Sequence, residues 1–223
     1  SFECTDLNLI KRVAQTNKPL IISTGMANDE EIGEAVETAL KFGSGELTLL
    51  HCVSGYPSPA AEYNLQTILD MKNRYGVNVG LSDHTLSNVT AIAAVALGAV
   101  MIEKHVTLDR NGGGPDDSFS LEQDGLKELC SATRTAWQAL GNVNYERTES
   151  EKENVKFRRS LYFVRDLKKG DIISEKDIRS VRPGFGLPPK FYNKLIGSTV
   201  AKPVQENTPV TLDSVDLKNK ELG

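Results

Sequence analysis

The three histidines of this chain each stand near the end of a predicted β-strand. His51, His84 and His105 follow the runs 47–50, 77–83 and 100–104, respectively. If these runs are successive parallel strands of one barrel, all three imidazoles gather at its C-terminal rim, where (β/α)₈ barrels hold their active sites. This placement predicts a catalytic or metal-binding site at that rim.

A strand-then-helix pattern repeats four times over residues 19–141. The predicted strands are 19–24, 47–53, 77–83 and 99–106, and each is followed by a stretch with apolar residues at helical spacing. Helix starts are predicted at Asn28, at about residue 64, at Ser87 and at a capping box that opens with Ser120. Four such units predict a parallel α/β architecture, with a further helix at about 7–16.

Four units make half of an eight-stranded barrel. The first residues, 1–3, resemble the end of an earlier strand, and an open parallel sheet would leave ladder groups unpaired at its edge. We therefore expect this polypeptide to be the C-terminal part of a longer protein.

The composition changes after residue 141. Residues 142–156 are polar and predict a linker, and residues 157–217 contain short β-like runs broken by Gly and Pro. They predict a small, mainly β module that docks on something else, because a unit of this size is marginal alone.

Charge and composition exclude several classes of function. The net charge of −4 and the pI of about 5.5 argue against a nucleic-acid-binding face. The longest apolar run, 91–97, is far short of the roughly 20 residues of a membrane span. Three cysteines without metal-ligand spacing suit reduced thiols and a cytoplasmic location, with Cys52 and Cys130 predicted in the core.

Several short strings occur in an order that resembles the sialic-acid synthase family. They are Ile22-Ser23-Thr24-Gly25-Met26, Leu50-His51-Cys52, Tyr56-Pro57, Gly80-Leu81-Ser82-Asp83-His84-Thr85, Glu103-Lys104-His105 and Gly114-Pro115-Asp116. The later string Arg182-Pro183-Gly184-Phe185-Gly186 resembles the antifreeze-like (SAF) domain of that family. The resemblance implies the C-terminal part of a (β/α)₈ TIM barrel (1–141), a linker and a SAF domain (157–217). It also implies condensation of phosphoenolpyruvate with an N-acetylated hexose to a nonulosonic acid.

A metal site follows from the same resemblance. His84 and His105 end adjacent predicted strands, so both imidazoles can reach one cation. In the family the corresponding pair binds a divalent metal, typically Mn²⁺, which polarises the sugar aldehyde while C3 of phosphoenolpyruvate attacks it. Water then adds at C2, and phosphate leaves with C–O cleavage. The alternative is that each histidine is a hydrogen-bonded core residue.

Two carboxylates join the predicted catalytic set. Strand alternation puts Glu103 on the face of His105, and the resemblance makes it a contact to a substrate hydroxyl or to a metal ligand; a core carboxylate paired with a lysine is the alternative. Asp116 lies in a glycine-rich loop, and by resemblance it contacts the sugar or a metal-bound water. Asp83 alternates to the opposite face and is predicted to be structural.

The resemblance also implies substrate-binding residues. Ser1, Ser23 and Ser82 match hydroxyls that hold phosphoenolpyruvate, whereas the lysines of the family that bind its phosphate belong to earlier strands. Tyr56 is retained, and Ser54 stands where members that make neuraminate usually have asparagine.

Phe119 is the predicted determinant of the sugar. The string from Gly114 to Leu121 resembles members that make pseudaminate, and an apolar wall at Phe119 suits a 2,4-diacetamido-6-deoxy hexose. Neuraminate and legionaminate synthesis are the alternatives. Phe119 is otherwise explained as a hydrophobic staple in front of an N-cap at Ser120.

Arg182 implies a dimer. In the family this arginine reaches the active site of the neighbouring subunit and contacts the acyl group of the substrate, which implies a domain-swapped homodimer. An exposed loop arginine without a role is the alternative.

Two further interpretations stay open for the whole chain. One is an inactive C-terminal fragment that serves as a folding or dimerisation module. The other is a different metal-dependent barrel enzyme, such as an aldolase of a related class that uses phosphoenolpyruvate, against which the SAF-like tail weighs.

Overall fold

The structure is a computed structural model that describes residues 1–217. It divides into two compact units, Ser1–Asn142 and a second unit that starts at Val143, and each is described by itself. No helix among these residues is long and apolar enough to cross a membrane.

The first unit is built on a four-stranded parallel sheet in the order β1-β2-β3-β4. The strands are β1 (Leu20–Ser23), β2 (Leu47–Cys52), β3 (Asn78–Asp83) and β4 (Ile102–Lys104). The helices are α1 (Leu7–Ala14), α2 (Asp29–Phe42), α3 (Gln66–Tyr75), α4 (Val89–Ala96) and α5 (Gln123–Leu140). Each strand is followed by a helix, which confirms the predicted α/β architecture.

Apolar spacing explains which faces are buried. The four apolar positions of α2 that face the sheet, Ile32, Ala35, Val36 and Ala39, are buried, as their helical spacing predicts. Val79, Gly80 and Leu81 of β3 are buried consecutively, as expected for a strand covered on both faces. Gly80 is required here, because a Cβ at this position would lie 2.5 Å from the carbonyl oxygen of Met101.

Two predicted helix caps are wrong. The N-cap of α4 is Asn88 and not Ser87, and the N-cap of α5 is Glu122 and not Ser120. The hydroxyl of Ser120 instead donates to the carbonyl of Asp116 at 2.7 Å, so it is unavailable to the helix. The capping box predicted at Asn28 is present, with reciprocal bonds to Glu31 of 2.8 and 3.0 Å.

The second unit is small and mainly β. Its strands are β5 (Ser160–Phe163), β6 (Ile178–Val181), β7 (Thr199–Val200) and β8 (Val215–Asp216), and its helices are α6 (Glu149–Lys152) and α7 (Tyr192–Leu195). The pairs β5–β6 and β7–β8 are antiparallel around a core of fully buried residues that includes Phe163, Ile173 and Ile178. The residues predicted as a linker thus include a helical turn, α6.

One cysteine prediction holds and the other fails. Cys52 is buried at the end of β2, whereas Cys130 is exposed. Cys130 fails because its face of α5 lines a groove along α4 and β4, in which Val100 and Trp137 are exposed too.

Candidate active site

Four aromatic rings meet where the carboxyl ends of β2, β3 and β4 lie. The ring centroids of His84 and His105 are 5.2 Å apart, and Tyr56 lies 4.3 Å from His84. Phe119 lies 5.2 Å from His105 and 5.7 Å from Tyr56. Four residues that the sequence predicted as site residues are therefore neighbours.

The ring of His84 is held in a defined state. Its Nδ1 lies 2.8 Å from the carbonyl oxygen of Val53, and because a carbonyl only accepts, Nδ1 of the neutral ring carries the proton. Nε2 therefore carries the lone pair. Burial lowers the pKa of His84, but contacts with Cys52 and Val53 outweigh burial and raise it above its ordinary value.

His105 has a carboxylate beside it. Its Nδ1 lies 3.4 Å from Oδ2 of Asp116, the residue that precedes the short helical turn Asp117–Phe119. The loop before this turn is folded by Asp117, which accepts hydrogen bonds from Thr107 and from the amide of Gly114. The glycine-rich loop thus places Asp116 at the predicted histidine.

Strand register separates two faces at β3 and β4. Ser82 and Glu103 are paired in register, and the Ser82 hydroxyl donates to Glu103 at 2.7 Å. On the opposite face, Lys104 pairs with the buried Asp83. Glu103 is therefore not the lysine-paired core carboxylate of the alternative interpretation, and Asp83 is a structural residue.

Two of the three predicted phosphoenolpyruvate hydroxyls, those of Ser1 and Ser23, lie beside the thiol of Cys52. The Ser1 hydroxyl lies 2.9 Å from that of Ser23 and 3.4 Å from Sγ of Cys52. Sγ also lies 3.9 Å from Ser54 Oγ and 3.9 Å from His84 Nδ1. Burial raises the pKa of this thiol, but contacts with His84, Ser1 and Ser23 outweigh burial and lower it to about 6.

His51 does not join the other two imidazoles, and that part of the sequence prediction is wrong. Its Nε2 contacts the carbonyl oxygen of Tyr63, and its ring stands edge-on to that of Tyr63 at 6.3 Å. The physical reason is strand alternation, because Cys52 faces His84 and the preceding residue points to the opposite side.

Phe119 packs against the rings of Tyr56 and His105, and it does not stand at the start of α5. Because the N-cap of α5 is Glu122, Phe119 does not precede a cap, and the staple interpretation is wrong. Its side chain is buried against His105 and Tyr56.

Arg182 lies in the second unit, directly after β6, and its side chain is exposed. Its predicted role toward a partner subunit stays a prediction.

Sequence reasoning missed three contributors to this site. Cys52 was predicted only as a core residue, although its register partner, Ser82, belongs to the predicted site. Val53 contributes a carbonyl and Tyr63 a hydroxyl, and neither has a sequence signal for that role. Burial raises the pKa of Tyr63 to about 12, so the phenol stays protonated.

The donor set fits a metal that takes part of its coordination from outside the protein. Among residues 1–217, no three His, Cys, Asp or Glu side chains form a group that could hold a metal ion by themselves. The two imidazoles each have Nδ1 near an oxygen, from Val53 and Asp116, an arrangement that orients metal-binding histidines. Both Nε2 atoms are the ones suited to a cation.

Comparison with known proteins identifies the class. Residues 1–145 match the NeuB family and residues 158–216 match the SAF domain. The chain belongs to the NeuB family.

Individual relatives agree with this assignment. The chain is 42% identical to the pseudaminic acid synthase of Campylobacter jejuni over 92% of its own length and 60% of that protein. It is 41% identical to the N,N'-diacetyllegionaminic acid synthase of that species, over 93% of the chain and 63% of that protein. The crystal structure of the spore coat polysaccharide biosynthesis protein SpsE from Bacillus subtilis superimposes with a TM-score of 0.59 at 32% identity, covering 98% of the chain and 67% of that structure. The chain spans 60–63% of the length of these two sequence relatives.

Proposed function

We propose that this chain carries the sugar-binding and metal-binding part of a synthase that condenses phosphoenolpyruvate with an N-acetylated hexose to a nonulosonic acid. The observation that carries this proposal is the cluster of His84, His105, Tyr56 and Phe119 at the carboxyl ends of parallel strands. The family assignment and the names of the relatives support the same reaction.

His84 and His105 are proposed to hold a divalent metal, Mn²⁺ in the first instance. When bound, the metal would supply Lewis-acid polarisation of the sugar aldehyde. Val53 keeps the neutral His84 ring in the tautomer that presents the Nε2 lone pair, and Asp116 is placed to orient His105.

The remaining residues are proposed to bind and orient the substrates. The reaction forms a bond between C3 of phosphoenolpyruvate and the aldehyde carbon, adds water at C2 and releases phosphate by C–O cleavage. The hydroxyls of Ser1 and Ser23 can donate to oxygens of phosphoenolpyruvate. Ser82 can do the same once its proton turns away from Glu103, and Glu103 is then free to accept from a substrate hydroxyl.

Phe119 and Tyr56 are proposed to select the sugar. Their rings make an apolar wall near His105, which suits the methyl group of a 2,4-diacetamido-6-deoxy hexose. Pseudaminic acid is proposed as the product, because a pseudaminic acid synthase is 42% identical to the chain. Legionaminate synthesis is the second candidate, because a synthase of that product is 41% identical to the chain.

Arg182 is proposed to contact the acyl group of a substrate bound by the neighbouring subunit of a domain-swapped homodimer. Its exposed guanidinium, with donors in a planar fork, is suited to a carbonyl oxygen. A cytoplasmic location is proposed with it, because Cys4, Cys52 and Cys130 are free thiols, which suit a reducing compartment.

A non-enzymatic role is supported by one observation. The sheet has four strands with β1 and β4 at its edges, and the groove beside β4 exposes Val100 and Trp137. A chain that only folds onto or dimerises with another barrel segment would share these features.

The test is a substrate panel. The chain, and an extended form with four further barrel strands before Ser1, are incubated with phosphoenolpyruvate, Mn²⁺ and either a 2,4-diacetamido-6-deoxy hexose or N-acetylmannosamine. We expect kcat/KM to favour the deoxy sugar by roughly tenfold or more, because a 6-hydroxyl against Phe119 is left unpaired. Equal or better turnover of N-acetylmannosamine contradicts the sugar assignment. If neither form is active, the result supports the interpretation that the chain serves only as a folding or dimerisation module.

A further inference from the structure

Tyr63 is a fully buried residue that the proposed chemistry does not use. It lies directly after the short helical turn Ala60–Glu62, and its side chain is 1% exposed. Its hydroxyl accepts a hydrogen bond from the backbone amide of His84 at 2.6 Å, across 21 residues of sequence.

The segment that contains Tyr63 makes several contacts with His84. We name residues 53–63 the β2–α3 loop. This loop binds His84 at three atoms: the Tyr63 hydroxyl accepts from its amide, the Ser58 amide donates to its carbonyl at 3.0 Å, and the Val53 carbonyl faces its Nδ1 at 2.8 Å. Tyr56 of the same loop lies 4.3 Å from the His84 ring.

These contacts restrict both the main chain and the ring of His84. The two backbone bonds fix the position of the His84 main chain, and the Val53 contact fixes the rotation and tautomer of its ring. The Tyr63 side chain lies in the hydrophobic core of the first unit, so its hydrogen bond connects His84 to that core. A ring that must meet a second imidazole 5.2 Å away needs such support.

We propose that Tyr63 is a positioning residue that holds the His84 ring in register with His105. This inference rests on the proposed function only where it concerns the metal, because the hydrogen bond itself is independent of any ligand. Tyr63 touches neither substrate nor metal, and it acts through the His84 backbone. Loss of its hydroxyl leaves a buried amide without an acceptor, so the turn after β3 relaxes.

The test compares two tyrosine-to-phenylalanine variants. Tyr63→Phe removes the hydroxyl and keeps the ring in the core. Tyr75→Phe is the matched control, because its hydroxyl also makes hydrogen bonds, to Asp29 on the surface. Each variant is compared with the unchanged chain by NMR of the His84 ring protons, whose shifts report the nearby Tyr56 ring, and by titration with Mn²⁺.

Tyr63→Phe should shift the His84 ring signals and raise the Mn²⁺ dissociation constant about tenfold, as loss of support behind a metal ligand does. Tyr75→Phe should change neither. If the unchanged chain binds no Mn²⁺ but Tyr63→Phe still shifts the ring signals, the metal assignment fails and the positioning role stands. Ring signals and Mn²⁺ affinity that Tyr63→Phe leaves unchanged overturn the inference.

A measurement on the unchanged chain covers the case in which Tyr63→Phe does not fold. The amide of His84 should exchange with deuterium much more slowly than an unstructured amide, because its acceptor is a buried hydroxyl. Exchange at the rate of an unstructured amide overturns the inference without any variant.

Discussion

The ammonium of Lys104 forms a buried ion pair with the carboxylate of Asp83, with 2.7 Å between Nζ and Oδ2. Both side chains are nearly inaccessible, at 4% and 0% exposure. Lys104 also donates to the carbonyls of Thr85 and Ser87 at 2.6 and 3.0 Å, so all three of its donors are used. One side chain of β4 thereby fixes the turn that carries His84.

Lys104→Met should therefore destabilise the first unit strongly. It leaves the Asp83 carboxylate buried without its counter-charge, although the amide of Thr85 still donates to it at 2.9 Å, and such a loss costs about 3–5 kcal/mol of unfolding free energy. Urea unfolding followed by the fluorescence of Trp137, on α5 of the same unit, measures it. Lys127→Met, at an exposed position of α5, is the control. A free energy for Lys104→Met equal to that of the control would show that the pair contributes nothing.

Metal binding should depend on two of the three histidines. His84→Ala and His105→Ala should each abolish measurable Mn²⁺ binding, because each removes one of only two imidazole ligands. His51→Gln should keep the affinity, since Gln retains a donor for the Tyr63 carbonyl. The loss of the free Mn²⁺ signal in electron paramagnetic resonance measures binding, and circular dichroism checks the fold. Undiminished binding in the doubly substituted His84→Ala, His105→Ala chain rules out this pair as the metal site.

The dimer proposal predicts complementation between two inactive variants. Arg182→Ala and His105→Ala, in the form of the protein that the assay finds active, are mixed under conditions of subunit exchange. If Arg182 acts across a two-fold axis, each mixed dimer regains one intact site of two, and activity recovers to about a quarter of the unchanged protein. Heterodimers proven by mass spectrometry that remain inactive would remove Arg182 from the neighbouring site.

The SAF domain should lose stability in acid through Asp177. This buried carboxylate accepts from the amide and hydroxyl of Ser174 at 2.6 and 2.7 Å and pairs with Arg165. Burial raises the pKa of Asp177, but the bonds from Ser174 and the pair with Arg165 outweigh it and lower the pKa below the ordinary 3.8. The resulting stability is present above pH 3.8 and is lost as the pH falls through the lowered value.

Asp177→Asn should accordingly cost roughly 1–3 kcal/mol at pH 7 and remove this acid-side loss. Urea titrations at several pH values, followed by the NMR signal of the Val164 amide, measure it, because that amide donates to the Asp177 carbonyl. If the free energy of unfolding falls as steeply with decreasing pH in Asp177→Asn as in the unchanged chain, other groups cause the loss of stability in acid.

The structural features that could be predicted from the sequence are those that local residue patterns determine. The four strand–helix units and the two imidazoles at strand ends follow from apolar spacing and from the order of the elements, which is why β3, β4, His84 and His105 agree with prediction. Strand alternation was applied to Glu103 and Asp83, whose faces agree with it, but not to His51, which alternation turns away from the site. The cap predicted at Ser120 failed because its hydroxyl donates to the carbonyl of Asp116, whereas the Ser87 oxygen still accepts from the amide of Val89, one residue ahead of the N-cap.

The features that could not be predicted from the sequence depend on how the loops fold. The hydrogen bond between Tyr63 and His84 joins residues far apart in sequence, and the contact of Cys52 with Ser1 joins residues still further apart. No spacing rule predicts such pairs. The first arises because the β2–α3 loop folds back over the end of β3, and the second because the residues before α1 reach the end of β2. Exposure of Cys130 likewise depends on what covers α5, which the helical pattern does not encode.

The most direct test of the central claim is the fate of the bridging oxygen of phosphoenolpyruvate. Phosphoenolpyruvate with ¹⁸O at C2 is incubated with the active form, Mn²⁺ and the 2,4-diacetamido-6-deoxy hexose, and phosphate and sugar acid are analysed by mass spectrometry. We predict a nonulosonic acid formed in equal amount with phosphate that carries the ¹⁸O, and neither product from His105→Ala. Phosphate without the label, or condensation that survives in His105→Ala, would contradict the account.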